Sequence, residues 1–190
     1  MSAGDEHHVC PWWLGYFLSS PIRKLWHNPT TILSGRVGEG QRVLEPGPGM
    51  GFFTLELARM VGPKGRVVAV DLQPKMLNRL KRRAMQAGLG DRIETRVATS
   101  ESLAIEDLAG SFDFILAFAM VHELRNPGKY FREVAAAGKT GATLLLAEPR
   151  GHVKDSMFEN ELRLAGDAGF ALSARVEVTW SYAALLKKSA

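Results

Sequence analysis

The residues best equipped for chemistry are concentrated in one short stretch, Glu45-Pro46-Gly47-Pro48-Gly49-Met50-Gly51. Alternating glycines let a backbone adopt conformations closed to other residues and approach a ligand closely. An acid two positions ahead of the first glycine repels a pyrophosphate and attracts a cationic amino group. The dinucleotide fingerprint G-x-G-x-x-G would place its last glycine where Phe52 stands, and no Lys-Ser/Thr pair follows this loop as a phosphate loop requires. Asp71 lies 20 residues beyond Gly51. A carboxylate there can accept two hydrogen bonds from a ribose diol, or it can cap a helix opening at Pro74. Leu72 and Met76 follow and offer apolar cover for an adenine face. The glycine triplet and the two acids together suit a ligand with a ribose at one end and an amino acid at the other.

These groups need a frame, and the hydrophobic pattern supplies one. Strands are predicted at 42–45, 66–70, 92–97, 112–117 and 142–147, and helices at 52–61, 74–87, 127–137 and 155–168. Asn126 caps one helix, and Gly62, Gly88, Gly138 and Gly169 supply stops. Two last strands, 170–179 and 181–187, are expected to pair antiparallel. Apolar strands alternating with crossover helices mean an α/β fold: a doubly wound, mostly parallel seven-stranded sheet with helices on both faces. The glycine loop joins the first strand to the first helix, at the carboxyl rim where such sheets bind ligands, next to helix amides that favour negative groups. Ahead of this domain (41–190), residues 1–40 read as a helical arm with helices near 11–19, 21–27 and 29–37; Ser20-Pro21 and Asn28-Pro29 mark starts.

Composition narrows the classes. The chain has 190 residues, 46% apolar and 23% charged, which fits one globular domain rather than a disordered chain. The net charge of +4 permits a nucleic-acid partner without predicting one. A single cysteine, Cys10, excludes an internal disulfide framework and a multi-cysteine zinc site, and makes a reducing cytoplasm the simplest expectation. The early apolar run at 9–18 is far shorter than the ~20 residues of a membrane span. Asp5 and Glu6 ahead of it do not read as a secretory signal.

The stretch Val43-Leu-Glu-Pro-Gly-Pro-Gly-Met-Gly-Phe-Phe-Thr54, followed by Val67-Val-Ala-Val-Asp71, resembles the class I S-adenosylmethionine-dependent methyltransferases, in particular small type-11-like members with a Rossmann-like fold. Residues 112–117 and 139–148 look like that family's fourth-strand and fifth-strand segments. The resemblance implies S-adenosylmethionine as cofactor, with Glu45, Gly47, Gly49 and Gly51 around its methionine part and Asp71 on its ribose. It implies that Ala117 and Phe118 line the methionine end. Near the adenine amino group, Thr99 occupies the position that usually holds an acid, and Ser100 could take over that contact. The reaction implied is in-line attack of an acceptor atom on a sulfonium methyl.

The segment Phe118-Ala119-Met120-Val121-His122-Glu123 carries neither the [N/D]-P-P-[Y/F] tetrapeptide of amino-group methylation of DNA bases nor a cysteine for base adducts. Ala117 offers no acid for a catechol-type magnesium site. In related small-molecule enzymes this loop faces the acceptor, so His122, as general base, and Glu123 are the catalytic candidates. Each could instead cap or pack the next helix. Tyr16 in the arm and His152 after the fifth strand are candidates on the substrate side. No metal site is assigned, since His7, His8 and Cys10 match no established ligand spacing. The aromatic arm reads as a lid, an interfacial helix or a homodimer surface, the lid being preferred; a lid would gain protection from proteolysis on cofactor binding. A small-molecule acceptor is the leading expectation. The alternatives are an RNA or protein methyltransferase using the basic run Lys75, Arg79, Lys81, Arg82 and Arg83, mainly on a solvent face, and a cofactor-binding module without its own catalysis.

Overall fold

The computed structural model describes residues 27–189. The arm helix predicted at 11–19 and all but the last residue of that predicted at 21–27, with Tyr16, His7, His8 and Cys10, lie outside the described residues. In chain order the elements are α1 (Pro29–Leu33), β1 (Arg42–Pro46), α2 (Thr54–Met60), β2 (Arg66–Asp71), α3 (Pro74–Gln86), β3 (Ile93–Val97), β4 (Phe112–Phe118), α4 (Pro127–Ala137), β5 (Gly138–Pro149), α5 (Asp155–Asp167), β6 (Phe170–Arg175) and β7 (Ser181–Lys188). The strands form one seven-stranded sheet in the order β3-β2-β1-β4-β5-β7-β6. The first five run parallel, and β7 runs antiparallel to both β5 and β6. This is the doubly wound arrangement the pattern predicts.

Period-two alternation sends neighbouring side chains to opposite faces, and both faces are buried. Val43, Phe114, Leu116 and Leu145 pack on one face with Leu33 of α1 and Phe53, Leu57 and Ala58 at α2. Leu44, Ile115, Leu144 and Leu146 pack on the other with Tyr130, Phe131 and Val134 of α4 and Phe158 and Ala165 of α5. Leu77 and Leu80 bring α3 down onto Ala69.

The caps explain where helices start. Asn28 Oδ1 accepts from the Thr30 amide at 3.0 Å and Asn126 Oδ1 from the Lys129 amide at 2.9 Å, each just ahead of a proline in the first turn. Several boundaries differ from expectation, most of all at β5, predicted at 142–147 and found over Gly138–Pro149 because its pairing with β4 begins at Phe112 opposite Gly138. The helix predicted at 29–37 ends at Leu33, because Gly35 turns left-handed (φ +71°). The helix predicted from 52 starts at Thr54, because Gly51 (φ +84°) still belongs to the loop. Strand β6 stops at Arg175, after a register shift between Leu172 and Ala174. Among the described residues, no helix is long and apolar enough to cross a membrane.

Candidate active site

The glycine loop leaves β1 at the carboxyl rim, and its three glycines serve different ends. All have positive φ: +69° at Gly47, +54° at Gly49 and +84° at Gly51. A Cβ on Gly51 would stand 2.3 Å from Leu80 Cδ1, so this glycine lets α3 pack under the loop. A Cβ on Gly47 would press on Met120 Cβ at 3.2 Å, where the loop meets the segment after β4. A Cβ on Gly49 would meet nothing within 4 Å, so its backbone borders open space that a ligand can use. The loop is braced as well as flexed. The Gly47 amide donates to the Val70 carbonyl at 2.8 Å, and Arg83 Nη1 donates to the Met50 carbonyl at 2.5 Å. Arg83 is therefore a half-buried loop brace and not the solvent-face residue that helical periodicity assigned to it.

Two acids flank this space. Glu45 is 3% exposed, and its Oε2 is buried without a hydrogen-bond partner among the described residues. Burial pushes its carboxyl up to about 8, with the nearby Asp71 charge adding to the rise and Thr54 opposing it. Asp71 Oδ2 accepts from the Gly49 amide at 3.2 Å and Oδ1 from the Gln73 amide at 2.8 Å. Asp71 thus turns the chain between β2 and α3 rather than capping that helix, whose N-cap Gln73 makes no side-chain cap hydrogen bond, and each Asp71 oxygen keeps a further lone pair. Burial raises its carboxyl above the usual range against those two amides. Leu72 is 41% exposed at this rim and Met76 is buried under it. The Ala98 amide donates to the Asp71 carbonyl at 3.0 Å, which carries Thr99 and Ser100 to the same rim. Thr99 Oγ1 accepts from the Glu101 and Ser102 amides at 3.2 and 3.0 Å, so its hydroxyl shapes its own loop.

A cationic amino group suits the orphaned Glu45 oxygen, since a buried acceptor without a donor is costly and a positive donor both pairs it and restores its charge. A backbone cradle beside Gly49 and a carboxylate on β2 complete the binding elements that S-adenosylmethionine calls for.

The second half of the site lies beyond β4. Ala117 and Phe118 are the last residues of that strand rather than the first past it. Ala117 has no exposed surface, and the Phe118 ring packs on Phe53 (centroids 4.5 Å apart) and edge-on to His27 (5.3 Å). Both side chains serve the core, so Ala119 (φ +54°) and the turn Val121–Glu123 carry the rim here. That turn is held by Glu148 at the end of β5, which is fully buried. Glu148 Oε1 accepts from the Met120 and Val121 amides at 3.2 and 2.8 Å, and its Oε2 pairs with His122 Nδ1. An ionised carboxylate only accepts, so neutral His122 carries its proton on Nδ1 and leaves Nε2 as the free base. The bond to Glu148 raises the His122 pKa above 6.5, opposed by burial and aided by the charges of Glu148, Glu123 and Glu161. Glu123 Oε1 lies 4.0 Å from His122 Nε2, and the exposed His152 ring is centred 6.0 Å from the His122 ring.

The structure thus brings His122, Glu123 and His152 together, and adds Glu148, which sequence reasoning did not single out as a site residue. Its one signal was an acid closing an otherwise apolar strand. Among the described residues, no group of three or more His, Cys, Asp or Glu could hold a metal ion. A cavity of about 420 Å³ opens at the opposite rim, beside Gln41 and Thr140. There Asp113 accepts from the Arg42 amide at 2.9 Å and from Lys139 Nζ at 2.5 Å, in ties that close the ends of the strands.

Comparison with known proteins agrees with this geometry. A family model described as "Methyltransferase domain" matches residues 38–184. The ubiquinone/menaquinone biosynthesis C-methyltransferase UbiE of Hahella chejuensis (strain KCTC 2396) is 32% identical over 131 residues, covering 69% of this chain and 51% of that protein. UbiE of Vibrio vulnificus (strain YJ016) is 31% identical, covering 69% and 49%. The chain spans about half the length of these relatives. The crystal structure of a SAM dependent methyltransferase from Aquifex aeolicus superposes with a TM-score of 0.85 at 26% identity, over 95% of this chain and 100% of that one. The [4+2]-cyclase SpnF shares the fold, with a TM-score of 0.68 at 22% identity over 80% of this chain and 60% of that one. With the family model matching residues 38–184 and the UbiE relatives above 30% identity over 69% of the chain, the chain belongs to the class I S-adenosylmethionine-dependent methyltransferases.

Proposed function

We propose that the protein binds S-adenosylmethionine along the rim from Glu45 to Asp71 and transfers its methyl group to a small-molecule acceptor at the His122 side. The observation that carries this reading is the buried, unpartnered Glu45 oxygen beside the open backbone of Gly49, with Asp71 across the rim. Glu45 receives the amino group, the loop backbone lies along the methionine part, Asp71 takes the ribose, and Leu72 with the loop at Thr99 and Ser100 borders the adenine. When bound, the cofactor supplies an electrophilic methyl on a sulfonium centre. The chain then has to orient two reactants and exclude water. His122 Nε2, made basic by the Glu148 bond on the other nitrogen, accepts the proton of an acceptor that must lose one. Glu123 and His152 border that space.

Support for a small acceptor comes from the UbiE relatives, whose name refers to quinone biosynthesis, and from the short segment between β5 and α5, which leaves no room for an inserted macromolecule-binding domain. Titration calorimetry with S-adenosylmethionine, S-adenosylhomocysteine, NAD and ATP tests cofactor choice. Binding of the first two is expected. Uptake of NAD or ATP with neither of the others would overturn the reading. Methyl transfer from labelled cofactor into a metabolite pool tests the reaction. Tight cofactor binding with no product across metabolite and RNA pools would identify a binding module instead.

A further inference from the structure

His122, Glu148, Tyr130 and Glu161 come from four elements and converge behind the acceptor rim. Glu148 spends both oxygens on three donors. Behind it, Tyr130 of α4 and Glu161 of α5 are 4% and 5% exposed. The Tyr130 hydroxyl and Glu161 Oε2 are both buried without a partner among the described residues. Both groups feel the charge of Glu148. Polar atoms buried this deeply are normally paired, through ordered water where side chains do not touch.

We infer that Glu161 and Tyr130 are positioning residues that extend the His122–Glu148 pair, through bridging water, into a buried network in which His122 and Glu161 share one proton. This rests on the reading of His122 as the acceptor-side base. Among the described residues, the remaining groups that face His122 are Glu123 from its own turn and His152 from the loop after β5. Burial, then the Glu148 charge, pushes the Glu161 carboxyl up to about 8, with His122 opposing the rise. Glu161 is therefore neutral at pH 7 and can donate to the network. Removing one proton leaves either neutral His122 with Glu161 protonated, or protonated His122 with Glu161 ionised. The two forms carry equal charge, so their balance sets how much free base the acceptor meets. The neutral glutamic acid favours the base-competent form, and its ionised form holds the proton on His122.

The test is an NMR titration of the His122 ring in the full chain, without acceptor, in wild type, Glu161→Gln and Tyr130→Phe. Wild type is expected to titrate in two steps, the second near the Glu161 value of about 8. Glu161→Gln should titrate in one step, with its midpoint about one pH unit lower. Tyr130→Phe should displace both wild-type steps without merging them. The infrared difference between wild type and Glu161→Gln should contain a protonated carboxyl band at pH 7 that fades above about 8; Glu45 contributes equally to both proteins and cancels. A single wild-type step superimposable on that of Glu161→Gln would overturn the inference, as would a missing band. Should Glu161→Gln not fold, two wild-type steps that move in Tyr130→Phe support the network, and one unmoved step refutes it. None of these readings needs turnover, so they stand apart from the base role, which the activity of His122→Ala decides.

Discussion

Glu45→Gln separates stability from function at a single atom. In the folded chain the Glu45 carboxyl sits at about 8, against 4.5 when unburied. An acid whose pKa rises on folding costs nothing below its unfolded value. The cost grows as pH climbs between the two values and is complete above the folded one. At pH 7 the gap is two and a half units, at about 1.4 kcal/mol each, so ionisable Glu45 costs the ligand-free protein about 3 kcal/mol. Glutamine has the same shape and no such cost. Glu45→Gln should therefore melt about 6–12 °C above wild type at pH 7, and the two curves should converge below about pH 4.5, for a domain of this size. Thermal unfolding across that range, followed by circular dichroism, reads the difference directly. The same substitution should weaken S-adenosylmethionine binding by at least about tenfold, because the amino group loses its charged partner. Equal melting temperatures at pH 7, or a gap that does not close on acidification, would refute the argument that burial sets this carboxyl.

Asp71→Ala should weaken cofactor binding by about ten- to a hundredfold with the fold retained, because it removes the proposed ribose partner and the acceptor of the Gly49 amide; wild-type affinity by calorimetry would remove Asp71 from the proposed site. His122→Ala should lower turnover by about 10²–10⁴ while cofactor affinity stays within about twofold. Wild-type turnover should rise with pH through a midpoint above 6.5, and Glu148→Gln should move that midpoint down, since the Glu148 bond is the main force holding the proton. Gly51→Ala should cost about 2–4 kcal/mol in urea unfolding, combining the 2.3 Å approach to Leu80 with a left-handed backbone; a loss under about 0.5 kcal/mol would show the loop to be more yielding than its contacts imply. Arg83→Met should weaken cofactor binding about three- to tenfold by releasing the Met50 carbonyl, with Arg82→Met as an inert exposed control.

The glycine loop and the acids of the proposed cofactor site were legible because local rules write them. Glycine spacing, an acid at the end of a strand and a proline opening the next helix all act within a few residues of one another, and they fix Glu45, Gly49 and Asp71 before tertiary contacts matter. The acceptor half was legible only in outline. His122 was visible as a titratable residue past a strand, but the group that sets its tautomer lies 26 residues away on β5, and no local pattern records that pairing. Glu161 shares a helical face with Phe158 and Ala165, which the periodicity of α5 already turned inward. A charged residue on an inward face was the available sign of the buried network. Arg83 misled for the opposite reason: its long side chain curls from a polar face onto a carbonyl of the loop. Helix ends at Leu33 and Thr54 shifted because positive-φ glycines, not hydrophobic spacing, set where the chain can begin or stop winding.

Strand β7 runs against its neighbours, and its opening turn therefore emerges on the same side as the ends of β4 and β5. Trp180 stands in that turn, 71% exposed with φ +57°, tied back by the Arg150 amide to its carbonyl at 2.9 Å. The glycine loop at 45–51 and this hairpin tip thus open onto the same edge of the sheet, separated by two strands, and are encoded about 130 residues apart. Substitutions in the hairpin can therefore reshape that edge of the sheet while the positive-φ backbone of the glycine loop keeps its conformation.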